Sequence, residues 1–524
     1  MTAYVGIGAA RIQTWLLRTP NLAGMRGASK ALSAATANAQ VKEWLHNRLD
    51  LGSVGLVDEA GDVDGVVVVQ TDLKNADVVV RQILTHLSGE LPGLEWEAWW
   101  CDASSYLDAY ALANRDDERV ERLTWLPATQ DVPVLRSCEC RHEPSGAQPL
   151  TWPGKETRFS GADCAVRHAH HPRSVAGLGG GKTPESASLW SAIPGTPPDD
   201  LTDLARRGGV GGSAALAHGR KDSRNHTATV VADGNAMGRL FELIADGSKI
   251  TDLGGFRSLA VAALNTAAAD AVLAGARRIT PVLGGEPREG HPEPVMAVIP
   301  HFVGGDDIFV SVPAPLAWEF VATLALAFGE LQATLDRALK DLSNSGVQLP
   351  SLEEAVKGVS LGVGLCFSHA SHPIAETHAA AERAMQAAKK AGAGASSVIG
   401  WTDLTEGPVT VIDSAGPKER RVISLDVVVD QLQPTRLPDV FSLTPSARAM
   451  LASILRDVEP AIRERKVDHW ASRVGWVRTS PIEELPALLS RARWWPGARH
   501  TEIDRGRRAD DGAPTPAPSA GVAS

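Results

Sequence analysis

Cysteine is scarce in this chain, with five among 524 residues: Cys101, Cys138, Cys140, Cys164 and Cys366. Thiols so few and so unevenly placed exclude the disulfide framework of a small secreted domain. No run of eighteen or more apolar residues occurs, so no segment is expected to span a membrane. The N-terminal residues MTAYVGIGAARIQ lack a basic region followed by a long apolar core, so a secretory signal is not expected and cytoplasmic residence is. Positive charge is in deficit, 52 Lys and Arg against 62 Asp and Glu, for a net charge of −10. That balance argues against an autonomous nucleic-acid binder, whose affinity rests on neutralising phosphates. Where nucleic acid is involved, other subunits are expected to supply the basic surface.

What is present is enough apolar content for large cores, 44% of residues, in a chain long enough for two to four domains. Residues 1–135 read as a first α/β unit. A strand is expected over Ala3–Gly8, a long helix over about 24–49, and the β-branched run GVVVVQ at 65–70 as a buried central strand. A helix at 75–88, a strand near 94–100 and a helix from Ser104 complete a ferredoxin-like pattern. Residues 136–225 are rich in Gly, Pro, His and Ser and read as an insertion with a linker. Within them Gly179-Gly180-Gly181-Lys182-Thr183 imitates a phosphate-binding loop, but Ala176 stands where that motif needs glycine, and no apolar strand precedes it.

Residues 226–405 give the clearest pattern. Strands are expected at 227–232, 295–302, 308–312, 359–367 and 397–401, and helices at 255–278, 316–342 and 374–390. The order β-α-β-β-α-β with an appended α-β describes a second ferredoxin-like palm, so the fold class is α/β (α+β) with two palms. Residues 406–504 read as a mostly helical C-terminal domain, with β-like pieces at 409–412 and 421–428 and helices at 445–465 and 482–493. The Ala-, Pro- and Ser-rich tail 505–524 is expected to be disordered.

Chemistry concentrates in the second palm. Asp233 ends its first strand, and Gly304-Gly305-Asp306-Asp307 forms a hairpin turn between two apolar strands. In a ferredoxin-like sheet those strands are neighbours, so the three carboxylates are expected to converge. Oxygen donors of this kind suit Mg²⁺ or Mn²⁺ and leave room for a triphosphate. Paired glycines let the backbone turn and approach a nucleotide without a Cβ in the way. Gly and Asp are also ordinary turn residues, so the turn alone is not specific. After Asp233 the loop Gly234-Asn235-Ala236-Met237-Gly238 enters a helix, where backbone amides can bind phosphate.

These motifs together resemble the polymerase-cyclase large subunit of type III CRISPR effector complexes, especially its Cmr-type branch. Ser371-His372-Pro373-Ile374, ahead of a helix ending Ala388-Lys389-Lys390-Ala391-Gly392, is similar to that family. So are Ile7-Gly8-Ala9-Ala10-Arg11-Ile12-Gln13, Arg18 and Gly27-Ala28-Ser29-Lys30-Ala31-Leu32-Ser33, at the opening of the first palm. The resemblance implies two palms, a zinc-bearing segment between them and a helical C-terminal domain. It implies an antiviral nucleotidyltransferase that converts ATP to cyclic oligoadenylate when its complex, built from other effector subunits and CRISPR RNA, binds target RNA. Asp233, Asp306 and Asp307 would then be catalytic and hold Mg²⁺ or Mn²⁺. Gly234, Asn235, Met237, Gly304, Gly305 and Lys389 would bind nucleotide, with Lys389 on the triphosphate. A lysine in the last turn of a helix also serves simply as a partner of the helix dipole.

The chain departs from the family in three places. Many members begin with an HD nuclease domain, whereas this sequence starts in the first palm and contains no HD dipeptide, so DNase activity from such a domain is not expected. Asn235 stands where the family often has aspartate. The zinc motif is irregular: Cys138-x-Cys140 is followed by Cys164-x-x-x-His168, with His142, His170 and His171 as alternatives. Trp99 and Trp100 read as core or interface packing, not as a base-stacking platform. Two rival functions stay open on the sequence: an inert scaffold subunit of the same complex, and a free-standing GGDEF-like nucleotide cyclase.

Overall fold

A computed structural model describes residues 2–495, apart from 20–21, 49–53, 116, 128–137, 140–147, 152–156, 171–188, 190–191, 196, 199, 211–224, 248–252, 281–295, 345–348, 393–395, 407–411, 414–415, 418–420, 433–437 and 457–458. The imitation phosphate loop at 179–183 and the tail 505–524 lie outside the described residues.

The first palm contains β1 (Thr2–Ala10), α1 (Ile12–Leu16), α2 (Leu22–Thr36), α3 (Asn38–Arg48), β2 (Gly55–Leu56), β3 (Val66–Asp72), α4 (Ala76–Glu90), β4 (Glu95–Asp102), α5 (Tyr106–Asn114) and β5 (Glu121–Trp125). Its antiparallel sheet has the order β2-β3-β1-β4-β5. Val67 and Val69 of the β-branched run are buried, as a strand covered by helices requires. The single helix expected over 24–49 is two helices broken at Ala37. The Thr36 hydroxyl there accepts the Gly65 N–H at 2.9 Å, tying the break to the start of β3.

The second palm contains β8 (His226–Asn235), α8 (Met237–Gly247), α9 (Gly254–Ile279), β9 (Ile299–Gly304), β10 (Asp307–Pro313), α10 (Ala317–Phe328), α11 (Glu330–Asn344), α12 (Pro350–Lys357), β11 (Ser360–His369), α13 (Ile374–Ala391) and β12 (Val398–Asp403). Strand Val422–Ser424, here β13, completes the order β13-β12-β11-β8-β10-β9, in which only β11 and β12 run parallel. Numbering each palm's strands from its first, both sheets run 2-3-1-4, with one strand added beyond the fourth in the first palm and two in the second. The two palms are therefore a structural repeat of one ferredoxin-like unit. The helix expected over 316–342 divides at Gly329 into α10 and α11.

Helix α13 lies unusually close to this sheet because glycines form its floor. A Cβ at Gly364 would sit 2.6 Å from the Met385 amide nitrogen, and one at Gly400 would sit 2.8 Å from the Ala384 carbonyl carbon. Helices α9 and 314–344 reach the length and hydropathy of a membrane span although neither is an unbroken apolar run. Both supply the palm core, through Leu264, Ala268 and Val272 on one and Trp318, Phe320 and Phe328 on the other.

Between the palms, the hairpin of β6 (Gln148–Thr151) and β7 (Thr157–Ser160) leads to α6 (Ala162–His170), and α7 (Leu201–Val210) precedes β8. Helix α6 is locked to the first palm. Arg167 and Asp163 form a fully buried ion pair at 2.8 Å, Trp15 Nε1 donates to Asp163 at 2.9 Å, and Arg167 donates to the Trp15 carbonyl at 2.8 Å. This part of the insertion is thus built into the first palm.

Residues 421–428, expected as strand, are strand only to Ser424 and continue as α14 (Leu425–Gln431). Leu425 and Val428, three apart, are buried on one helical face, so packing overrides the β-preference of the valines. Helices α15 (Pro445–Leu455), α16 (Pro460–Val474) and α17 (Leu485–Trp494) follow. The last is pinned to the second palm by Asp403, which accepts from Trp494 Nε1 at 2.8 Å and Arg493 at 3.1 Å.

Candidate active site between the palms

Strand β8 is central in its sheet and buried along nearly all its length, so only its end can present polar groups. Asp233 lies just beyond the Ile308–Ala232 pair, where the ladder with β10 opens. On the other side of that opening Asp307 pairs with Gly304, leaving Gly305 and Asp306 as the two turn residues. Gly305 has φ +60°, a conformation that favours glycine. Gly234 is required for a different reason. A Cβ there would meet the Asp306 Cβ at 2.9 Å and its Oδ2 at 3.2 Å, so the bare backbone makes room for the Asp306 carboxylate.

The structure thus brings Asp233, Asp306 and Asp307 to one spot. Burial pushes the Asp306 carboxyl up to about 7, and the charges of Asp233 and Asp307 push the same way. Burial likewise raises Asp307 to about 6, with Asp233 adding to the rise and Lys389 opposing it. Lys389 reaches the cluster from the last turn of α13, its ammonium bonded to Asp233 Oδ2 and 3.2 Å from the Gly234 carbonyl oxygen. Among the described residues, no three His, Cys, Asp or Glu side chains close into a metal-holding group. The three carboxylates converge without forming a closed cage, and an ammonium neutralises one of them.

Other residues singled out from sequence sit differently. Asn235 is buried, and its amide donates to Ser360 Oγ at 2.9 Å and to the Ser396 carbonyl at 3.3 Å. Met237 is buried in the palm core and packs under Gly234. Between them Ala236, a non-glycine residue at φ 64°, turns the chain from β8 into α8. Cys138 and Cys164 are buried with their sulfurs 3.5 Å apart, and the Gly161 N–H points at Cys138 Sγ at 3.4 Å. His168 follows Cys164 by one helical turn and is also buried. Cys140 lies outside the described residues, as do His142 and His171. His170 Nδ1 is within 3.0 Å of the Val166 carbonyl oxygen.

Sequence reasoning missed Asn265. From the middle of α9 its Oδ1 accepts the Gly305 N–H at 3.2 Å, while its Nδ2 donates to the Asp62 carbonyl of the first palm at 2.7 Å. The available signal was a lone amide in an otherwise alanine-rich apolar stretch. Also missed was an inter-palm cavity of about 410 Å³ beside Gly305 and Asp306, walled by Trp99, Tyr106, Tyr110 and Phe241. Trp99 is at the interface, as expected, but on an open wall of it. A second cavity, about 760 Å³, borders Gly304 from the side of Lys30 and Asp64.

Residues 226–396 match the family model Cas10/Cmr2, second palm domain. No curated protein matches the sequence. Among solved structures, the fold is similar to an apo Csm1–Csm4 cassette at TM-score 0.53 and 13% identity, covering 94% of this chain and 70% of that one. The same cassette in complex with cA4 is similar at TM-score 0.51 and 13% identity, over 94% and 70% of the two chains. With AMPPNP the values are 0.50 and 12%, over 95% and 70%. The family model is named for Cas10 and Cmr2 alike and the structures are Csm1, so the Cmr-type and Csm-type branches are not separated. Residues 226–396 are thus similar to the second palm domain of Cas10/Cmr2, and the chain as a whole shares the fold of Csm1.

Proposed function

We propose that this protein is the large subunit of a type III CRISPR RNA-guided effector complex, synthesising cyclic oligoadenylate from ATP when target RNA is bound. The observation that carries the reading is the convergence of Asp233, Asp306 and Asp307 at the mouth between two palms, within a segment that matches the family's second palm. Structures of similar fold hold AMPPNP, cA4 and pppApA, all adenine nucleotides, in a Csm1–Csm4 cassette. That supports ATP as substrate here and a further effector subunit as partner; CRISPR RNA and target RNA are partners by the family resemblance alone.

The donor set fits a hard divalent cation: three carboxylates whose mutual repulsion, together with burial, raises two of them. Asp233, Asp306 and Asp307 would hold Mg²⁺ or Mn²⁺, which when bound offsets triphosphate charge and acidifies the attacking 3′-hydroxyl. The remaining work belongs to the protein's own groups. Gly305, without a side chain, lets phosphate approach the turn, and Gly304 and Gly234 border it. The loop 234–236 delivers the first amides of α8, with Asn235 and Met237 holding its shape from beneath. Lys389 supplies the cation on the far side of Asp233. Between the palms, Cys138, Cys140, Cys164 and His168 are proposed to hold a structural Zn²⁺. The thiol pair and the N–H aimed at one sulfur suit thiolate ligands.

Changing Asp306 and Asp307 together to Ala tests the assignment. Product measured by mass spectrometry from complex, ATP, Mn²⁺ and cognate RNA should vanish, while assembly and thermal stability persist. Undiminished product would refute the site, and an inactive wild type under all metal and RNA conditions would favour the inert scaffold.

A further inference from the structure

We infer that Lys389 is an internal stand-in for the metal, occupying Asp233 in the nucleotide-free protein and leaving it when triphosphate arrives. The inference rests on the proposed nucleotide and metal site. Its ground is the path of the side chain. Lys389 runs from the end of α13 directly over Gly362, where a Cβ would meet its Cγ at 2.6 Å and its Cε at 3.0 Å. Gly362 is the cross-strand partner of Asp233 in the β11–β8 ladder. The bare strand is therefore a groove leading the ammonium to the one carboxylate that ends β8. The Gly364 and Gly400 floor lowers the whole helix so that the chain is long enough. Asn235, which also borders Gly362, has its amide committed to Ser360 and Ser396. The ammonium instead takes Asp233 Oδ2 and the Gly234 carbonyl oxygen.

An ammonium on Oδ2 and a divalent ion on the same oxygen exclude one another. With the lysine in place, a metal ion has only part of its carboxylate set. A triphosphate changes the competition, because its oxygens offer the ammonium another anionic acceptor within reach of a four-carbon stem. Nucleotide then frees Asp233, and metal affinity rises in its presence beyond what direct metal–phosphate contact supplies. By linkage, metal bound first favours the lysine conformation that receives phosphate. The site would thus stay metal-poor until substrate enters.

The test is Mn²⁺ binding to the full-length chain, read by the loss of the free-ion electron paramagnetic resonance signal, with and without a non-hydrolysable ATP analogue. Without nucleotide, Lys389→Met should bind Mn²⁺ about fivefold more tightly than wild type, the scale of a partly exposed ion pair. Lys389→Arg, which keeps the charge, should stay within about twofold of wild type on the same scale. With the analogue, the gain in Mn²⁺ affinity should be smaller in Lys389→Met than in wild type. Equal nucleotide-free affinities in wild type and Lys389→Met, with both binding Mn²⁺ when the analogue is present, would overturn the stand-in alone. Failure of all three proteins to bind Mn²⁺ even with the analogue would overturn the metal site beneath it.

Discussion

Adding one methyl group at Gly364 should unseat α13 and, through it, Lys389. The new Cβ would lie 2.6 Å from the Met385 amide nitrogen and closer still to the Ala381 carbonyl oxygen. Both obstacles are helix backbone, so no rotamer change relieves the clash. The helix must retreat by roughly an ångström to regain ordinary contact distance. Met385 and Ala381 are buried, and the retreat opens the packing on either side of them. Overpacking of this kind costs about 1–3 kcal/mol, and the rigid obstacle argues for the upper end. For a cooperative unit of this size that corresponds to a melting point lower by about 6–12 °C. Lys389 is about one turn beyond Met385 and two beyond Ala381 on the same helix, so its contact with Asp233 should loosen and nucleotide affinity should fall. Gly89→Ala, in α4 with nothing within 4 Å of the added Cβ, is the control. It should leave stability unchanged or raise it by about 0.5–1 kcal/mol. Thermal unfolding followed by circular dichroism, with nucleotide binding by calorimetry, gives both readings. If Gly364→Ala melts with wild type, the close seating of α13 is refuted.

Two further outcomes follow from groups away from the site. Burial raises the Glu406 carboxyl from its ordinary 4.5 to about 7, against the pull of Arg421 at 3.0 Å, so the folded protein binds this proton more tightly than the unfolded chain. Stability should therefore fall as pH rises from about 4.5 to about 7, by about 3 kcal/mol at most, and level off above. Glu406→Gln should remove that slope in urea titrations at stepped pH, and an unchanged slope would exclude Glu406 as its source. Metal analysis should find about one Zn²⁺ per chain, lost from a Cys138→Ser, Cys164→Ser double variant. Zinc-free wild-type protein that is fully folded would defeat the zinc assignment.

Periodicity revealed both palms because a ferredoxin-like unit writes its strands as β-branched runs and its helices as amphipathic ones. Val66–Val69, 308–312 and 374–390 were legible for that reason. Helix breaks at Ala37 and Gly329 were not, since each depends on what the next turn packs against. The helix at Leu425 was misread as strand because burial of Leu425 and Val428 decides there, not the preference of its valines. At the site, the carboxylates were legible from motif spacing, and Lys389 only from the family resemblance. The Asn235 geometry was not: its amide serves Ser360 and Ser396, which are 125 and 161 residues away. Likewise, the aromatic wall draws on Trp99, Tyr106, Tyr110 and Phe241 from three elements, so no local pattern announces it.

The repeat explains why the turn carrying Asp306 depends on both palms. Strand order 2-3-1-4 places a second-to-third-strand connection at the same position in each unit: Gly305-Asp306 in one, residues 57–65 in the other. The first-palm connection is held against α9 at three points. Arg257 donates to the carbonyls of Glu59 and Ala60 at 2.8 and 2.6 Å, and Asn265 donates to that of Asp62. Gly61, at φ +78°, packs on Val261 where a Cβ would lie 2.6 Å from Val261 Cγ1. Asn265 uses its other end on Gly305. One side chain thus bonds the backbone of both connections, and neither can shift without straining or releasing it. A displacement of residues 57–65 therefore has a route to the Asp306 turn through α9, by two hydrogen bonds that meet on the one side chain of Asn265.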